Sequence, residues 1–160
     1  MNRALYGGEA PEEIAALLGE AMIRYADTDD AESKLLEAKK KAPGSLAVHF
    51  SLYKFYFYKK RLQDAERVAR QALEEAAAQG GFSPDWEDLA PDSADWSREA
   101  AHFYLFSLKA LAFMRLRQGD RIECECILDK LEVLDRGDSV GSSVIREIAR
   151  GAHGNLQSAL

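Results

Sequence analysis

The chain has 160 residues, of which 47% are hydrophobic and 30% are charged, and this is sufficient for one domain with a sizeable core. A formal net charge of -6 argues against a general nucleic-acid binder, because neutralising phosphates requires clustered lysine and arginine in excess. The sequence begins without an apolar segment of signal-peptide type, and no run approaches the roughly 20 apolar residues of a membrane helix. We therefore expect a cytoplasmic protein that does not bind a membrane.

The first predicted helical hairpin covers residues 12–45. Pro11 followed by two glutamates is typical of the first turn of a helix, where the missing proline N–H is tolerated and negative charge is favoured. The acidic turn at residues 27–30 offers an aspartate to cap a second helix. That helix should end before Pro43, because proline cannot continue it.

The second predicted hairpin covers residues 46–79, and its two helices differ in character. In the first, large aromatic residues recur at spacings of three and four and occupy much of the circumference, which predicts burial on more than one side. The second has a narrow stripe of alanines at the same spacing, which lets a neighbouring helix approach closely. These alanines are Ala65, Ala69, Ala72 and Ala76.

An acidic insertion at residues 80–98 separates the central hairpin from the rest. It contains both tryptophans of the chain and a predicted short helix that begins at Ser83 and Pro84. Long loops within compact domains are uncommon and are often functional. The insertion could cover a neighbouring apolar surface, and the sequence leaves this open.

The third predicted hairpin covers residues 105–138. Its first helix is expected to begin earlier, at Ser93 or Asp95, and to continue to Gln118. A capping helix is predicted over residues 139–150, with Val140, Val144, Ile145 and Ile148 on one face. Residues 1–150 should therefore form a single domain, and residues 151–160 a flexible tail.

The hairpins repeat one another. Shifting the central hairpin back by about 34 residues, a period common in helical repeats, places similar residues on each other. The matched pairs include Leu18 with Leu52, Ala31 with Ala65, and Ala38 with Ala72. After the insertion, the same order of large and small residues resumes at Leu108, Leu111, Ala112, Gly119, Cys124, Leu128 and Leu131.

This pattern resembles the tetratricopeptide repeat (TPR) family. Ala31 and Ala65 stand where that family has its most characteristic alanine, and Tyr56 stands where it prefers tyrosine. The sequence departs from the family pattern because no tryptophan opens a repeat, and because Cys124 and Leu131 replace the two alanines in the third repeat. The resemblance implies an all-α fold, a right-handed α-α superhelix of three TPR-like hairpins followed by a C-terminal capping helix.

In TPR stacks, the first helices of successive hairpins line a concave groove. The residues that the resemblance assigns to this groove are Arg24, Phe50, Lys54, Phe57, Tyr58, Phe106, Lys109, Phe113, Leu116 and Arg117. Aromatic and aliphatic side chains alternate there with positive charges on an acidic protein. Such a surface would suit a peptide or helix of another protein with apolar and acidic residues. An alternative is a homodimer that buries Phe50, Phe57 and Phe113 against a second copy.

Two narrower resemblances remain open within this binding class. A short acidic chain with three repeats is similar to the secretion chaperones of type III systems. The stretch from Arg98 to Asp120 resembles small repeat proteins encoded beside bacterial nitrogen-fixation genes. The residues alone do not separate these two possibilities.

Enzymatic motifs are weak in this sequence. Residues 137–141 match the G-x-S-x-G nucleophile elbow, which would make Ser139 a hydrolase nucleophile with His153 as its base, but a predicted helix rather than a strand precedes the motif. Cys124 and Cys126 are two apart on a helix and point in different directions, so Cys124 should be a core residue and Cys126 partly exposed. His49 is expected to be packed in the core. We therefore predict a non-enzymatic protein without a cofactor or metal.

Overall fold

The computed structural model describes residues 10–151. Within this range the chain is all-α, as predicted, with seven α-helices and no strand. The helices are α1 Glu12–Ile23, α2 Thr28–Lys41, α3 Leu46–Tyr58, α4 Leu62–Gly80, α5 Glu99–Arg117, α6 Arg121–Leu134 and α7 Ser142–Ala149. A short 3₁₀ helix, Trp86–Asp88, lies in the insertion. None of the helices described here has the length and apolar character needed to cross a membrane.

Consecutive helices pack as hairpins. Helix α1 pairs with α2, α3 with α4, and α5 with α6, while α2 contacts α3 and α4 contacts α5. The first helices of the hairpins also contact one another, α1 with α3 and α3 with α5. Helix α7 packs against α5 and α6 at the end of this series. The predicted order of paired helices is therefore confirmed, whereas the right-handed superhelix of the TPR family stays a prediction.

Small residues allow the helices to approach closely. Ala31, Ala38, Ala65 and Ala72 are all 0% exposed. Tyr53 of α3 and Phe113 of α5 are also completely buried, where Tyr53 contacts Ser107 and Phe113 contacts Phe57. The predicted wedging of alanines between helices is confirmed, and His49 is buried as expected.

The predicted start of α5 was wrong. The helix begins at Glu99, several residues after Ser93 and Asp95. The Asp95 carboxylate accepts hydrogen bonds from the backbone N–H and the hydroxyl of Ser97, and this local turn competes with a helix. The helix starts only after Arg98, where the polar turn residues give way to apolar ones.

The capping helix is shorter than predicted. It begins at Ser142, after Gly141, whose φ of +76° is a left-handed conformation that favours glycine. Val140 therefore lies before the helix, although it is buried. Ile145 is 0% exposed, but Val144 is 42% exposed, so the four predicted residues do not share one buried face.

The insertion packs on the third hairpin. The Tyr104 hydroxyl of α5 donates to the Pro84 carbonyl oxygen at 2.7 Å, and the rings of Phe82 and Trp96 contact the Tyr104 ring. The Lys130 ammonium of α6 donates to the Leu89 carbonyl oxygen at 2.7 Å. Neither Tyr104 nor Lys130 belongs to the predicted groove.

Charged residues join the second and third hairpins. The Arg115 guanidinium of α5 lies 3.1 Å from a Glu66 oxygen of α4 and 2.7 Å from a Glu123 oxygen of α6. Arg70 of α4 contacts the same Glu123 oxygen at 2.8 Å. Burial raises the pKa of Glu66, but hydrogen bonds from Arg70 and Gln118 outweigh this effect and leave the pKa below its usual value. The network therefore stabilises the charged form of this carboxylate in the folded protein.

A second polar cluster joins the first hairpin to the second. The Tyr56 hydroxyl of α3 donates to Glu32 of α2 at 2.6 Å, and Arg61 donates to the other Glu32 oxygen at 2.9 Å. The Arg61 guanidinium also lies 4.7 Å from the centre of the Tyr56 ring. The hydrogen bond from Arg61 is the largest cause of a lowered Glu32 pKa, while burial raises the pKa of Tyr56 to about 12.

We expect Tyr56→Phe to lower the free energy of unfolding at neutral pH by about 1.5 kcal/mol, because a partly buried hydrogen bond to a charged group is lost. The Glu32 pKa is lowered in the folded state, so its contribution is present above its usual value of 4.5 and is lost as the pH falls through the folded value. The difference between wild type and variant should therefore narrow in acid. Urea unfolding followed by circular dichroism across this pH range would measure it, and a pH-independent difference would contradict the assignment.

Candidate functional site

A cavity of about 280 Å³ lies between α1 and α3. Its lining follows the helical periodicity, since residues three or four apart share one face of a helix. Helix α1 and the turn after it contribute Leu18, Ala21, Met22 and Tyr25, α2 contributes Leu35, and α3 contributes Phe50, Ser51, Lys54, Phe55 and Tyr58. Most of these side chains are apolar or aromatic, so the cavity is suited to an apolar group.

The α1 side of the cavity is unusually exposed for apolar residues. Met22 is 77% exposed and the adjacent Ile23 is 82% exposed. Single exposed apolar residues are common on protein surfaces, but Met22 also lines the apolar cavity, whereas Ile23 lines a separate depression among charged residues. Met22 therefore forms an accessible apolar edge of the cavity at the end of α1.

Tyr25 is fixed at the end of the cavity by α3 and the turn that follows it. Its ring contacts the Phe55 ring edge-on, with 5.9 Å between centroids. The Lys59 ammonium lies 3.9 Å from the centre of the Tyr25 ring and donates to the Tyr25 carbonyl oxygen at 2.8 Å. Burial raises the pKa of Tyr25. These contacts orient the ring although the residue lies beyond the last turn of α1.

Lys54 is the charged residue of the cavity lining. Its ammonium lies 5.4 Å from the centre of the Phe50 ring and 5.9 Å from that of the Tyr58 ring, within the range of cation–π attraction. Among residues 10–151, no carboxylate oxygen lies within 4.0 Å of this ammonium. On α1 and α2, Glu20 pairs with Lys34, and Asp30 pairs with Arg24.

A larger cavity, of about 400 Å³, lies between α6 and α7. Several of its lining residues are charged, and Arg146 already contacts Asp129 at 2.7 Å and Glu132 at 3.1 Å. This arginine is therefore engaged within the chain. The cavity between α1 and α3 is the better candidate because it combines apolar surface with Lys54, which has no carboxylate partner among residues 10–151.

The structure brings together the predicted groove residues of α3 and α5. The Phe50 and Phe106 rings have centroids 5.6 Å apart, and those of Phe57 and Phe113 are 5.2 Å apart. The Lys109 ammonium lies 4.6 Å from the centre of the Phe106 ring. The two helices therefore face each other through these side chains.

Four of the predicted residues are largely inaccessible. Phe57 is 6% exposed, Phe106 4%, Lys109 6% and Phe113 0%. Burial lowers the pKa of Lys109, against an opposing effect of Asp138. Because these side chains are buried within one chain, the accessible part of the predicted groove on α3 consists of the half-buried residues Phe50, Lys54 and Tyr58.

The remaining three predicted residues do not line the cavity. Arg24 is exposed at the end of α1 and pairs with Asp30 at 3.5 Å. Leu116 is half-buried and Arg117 is exposed, both at the C-terminal end of α5. Whether any of the ten residues contacts a partner stays a prediction.

Sequence reasoning missed the α1 contribution to the cavity. Leu18, Met22 and Tyr25 follow one another at spacings of four and three, which is a helical face visible in the sequence. The family resemblance instead predicted Arg24, on the neighbouring face at the end of α1, as a groove residue. The aromatic run of α3 likewise could have indicated Phe55, which is 5% exposed and lines the inner wall.

The predicted pairing of Ser139 with His153 stays a prediction, because His153 lies outside the described residues. Within those residues, His102 Nε2 lies 3.3 Å from Ser139 Oγ. The Ser139 hydroxyl and the backbone N–H groups of Ser139 and Val140 all donate to the Asp135 carboxylate. Since an elbow needs backbone N–H groups to stabilise an oxyanion, this geometry is that of an aspartate-capped turn.

The cysteines have the predicted environments. Cys124 is buried and Cys126 is exposed, and burial raises the pKa of Cys124 to about 11. In the part of the chain that the structure describes, no group of three or more histidine, cysteine, aspartate or glutamate residues could bind a metal ion. The prediction that the protein is not an enzyme stays a prediction.

Comparison with known proteins gives one informative relative. No protein-family model matches the chain, and no solved structure matches it. The chain is similar to an uncharacterized 19.8 kDa protein from the nifW 5′ region of Azotobacter chroococcum mcd 1, with 29% identity over 148 residues. The alignment covers 90% of this chain and 82% of the relative. The relative is therefore a bacterial protein encoded in a nitrogen-fixation gene region.

Proposed function

We propose that this protein is a non-enzymatic adaptor or chaperone-like module that binds another protein through the cavity between α1 and α3. The observation that carries the proposal is the combination of an accessible apolar edge at Met22 with Lys54, whose ammonium has no carboxylate within ion-pair distance among residues 10–151. Both features would be satisfied by a partner that supplies an apolar side chain and negative charge.

The volume of the cavity, about 280 Å³, sets how much of a partner it can hold. The cavity is also open to solvent beside Met22. One or two side chains of a partner would fill it, while the rest of the partner would lie along the exposed surfaces of α1 and α3.

The order of helix contacts supports a TPR-like arrangement. In that family, the first helices of the hairpins form the concave wall, and here α1, α3 and α5 contact one another in sequence. We infer a right-handed stack in which the cavity between α1 and α3 lies on the concave side. The proposed site then lies on the first two hairpins, because the predicted groove residues Phe106, Lys109 and Phe113 of α5 are buried.

The bacterial relative favours one of the two narrower resemblances. That protein is encoded in the nifW 5′ region, which agrees with the likeness of residues 98–120 to repeat proteins near nitrogen-fixation genes. We therefore favour an accessory role in a nitrogen-fixation gene cluster, in the cytoplasm, over a type III secretion chaperone.

Affinity capture with paired variants tests this function. Tagged wild-type protein, in extract from the source organism grown without fixed nitrogen, should retain a partner that mass spectrometry identifies. The variant Met22→Asp with Lys54→Glu should lose that partner. The control Ile122→Asp with Lys40→Glu makes the same chemical changes at exposed positions on α6 and α2 and should retain it. Equal capture by both variants, or no specific capture by wild type, would refute the proposal.

Self-association is the second candidate, favoured by the exposed Met22 and Ile23. Of the three phenylalanines that the sequence suggested for a dimer, Phe57 and Phe113 are buried within the chain, so only Phe50 remains partly accessible. Light scattering over a dilution series separates the two ideas. A dimer at micromolar concentration that Met22→Asp dissociates would support self-association, whereas a monomer supports a different protein as the partner.

A further inference from the structure

We propose that the segment bound by this cavity is an α-helix that carries an apolar side chain and, three or four positions away, an aspartate or glutamate. This inference rests on the proposed function and specifies the chemistry of the partner. The lining of the cavity, the position of Lys54 and the backbone of the two wall helices each set one requirement on the bound segment.

The apolar requirement follows from the walls. Leu18, Met22 and Phe55 provide apolar surface on both sides, and Leu35 closes the cavity from α2. A polar side chain placed there would lose hydrogen bonds to water and find few replacements, because Ser51 and the lysine are among the few polar groups in the lining. An aliphatic or aromatic side chain would instead be stabilised by leaving water.

The acidic requirement follows from Lys54. This lysine lines the cavity and contacts the Phe50 and Tyr58 rings, which place its ammonium beside the apolar surface. Glu20 and Asp30, on the same hairpin as the opposite wall, are paired with other cations. A carboxylate from the partner can therefore pair with Lys54 without displacing any acid of residues 10–151.

The helical requirement follows from the backbone of the walls. An extended peptide leaves its own N–H and C=O groups to be satisfied by the protein, as in addition of a strand to a sheet edge. Helices α1 and α3 already satisfy their backbone internally and offer no such edge. A helix brings its backbone groups already paired, and it places side chains three or four positions apart about 5–6 Å from each other, which suits one cavity and an adjacent lysine.

A phage library tests these requirements without knowledge of the natural partner. The probe is a small three-helix scaffold with the exposed face of one helix randomised, selected on the full-length protein. We expect selected clones to combine an apolar residue with an acid three or four positions away. Their affinity should fall about tenfold or more for Lys54→Glu and remain within about twofold for the control Lys40→Glu. Replacing the probe's acid by lysine should restore binding to Lys54→Glu.

The outcomes separate the inference from the function on which it rests. One outcome is a set of clones that lose affinity for Met22→Asp and yet carry no acid, or bind Lys54→Glu as well as wild type. Such clones would overturn the acidic requirement and would still support the binding site. A library of unstructured peptides is selected in parallel. If its clones bind more tightly than those of the helical library, the helical requirement is overturned. Clones that bind Met22→Asp as well as wild type, or an absence of binding clones, would count against both the inference and the site.

Discussion

Phe113→Ala is expected to lower the free energy of unfolding by about 3–5 kcal/mol, the usual cost of removing a buried phenylalanine ring. Phe113 is 0% exposed, and its ring faces Phe57 across the junction of α3 and α5. The substitution would remove contacts of both helices and leave a cavity that α5 cannot easily close. Urea unfolding followed by circular dichroism would measure the loss, which is a large part of the total stability of an ordinary domain.

Comparison with an exposed residue makes this prediction specific. Ile122→Ala, at a position that is 79% exposed, should change the free energy of unfolding by less than about 0.5 kcal/mol. A small effect of Phe113→Ala would mean that this side chain is accessible in solution, as the groove assignment from sequence required. A large effect would instead show that Phe113 is a core residue that packs against α3.

Ala72→Phe is expected to destabilise the protein by about 3 kcal/mol or more and to leave part of the population unfolded, because a tightly packed site cannot accept a ring without displacing a helix. Ala72 is 0% exposed on α4, which packs between α3 and α5. Thermal unfolding and the helical signal at room temperature would report the effect.

Ala78 provides the matched control on the same helix. It is exposed near the end of α4, and Ala78→Phe should leave the unfolding transition close to that of wild type. A similar, small effect at both positions would show that α4 does not pack closely against its neighbours, and the assignment of a repeat built on alanine faces would then be wrong.

The helices were predictable because their signals are local. Helix α2 begins after Asp27, whose side chain accepts a hydrogen bond from the Asp30 backbone N–H, and α3 begins after Ser45, which caps it in the same way. Ala31 and Ala65, at equivalent positions of the repeat, indicated where the helices pack closely. Each of these features depends on residues close in sequence or on a repeating spacing, so the sequence contains it directly.

The site was less predictable because it depends on the rotation of one helix against another. Spacings of three and four identify a face, but α5 is buried around most of its circumference, so spacing alone does not show which face remains open. Phe106 and Phe113 face α3. Met22 lies 34 residues before the buried Tyr56, and so at the equivalent position of the repeat, yet it is exposed. These differences arise from long-range packing, which a repeat alignment does not contain.

Ile14, Leu17 and Ala38 of the first hairpin form a small cluster with Val48 of α3, apart from the main core. Helix α1 packs mainly against α2 and touches α3 less, with the cavity between them. Amide hydrogens of α1 should therefore exchange with deuterium through local opening, at a lower free energy than those of α4 and α5. A helix bound between α1 and α3 would supply the missing contacts and slow that exchange, so partner binding and the order of this terminal segment would be thermodynamically linked.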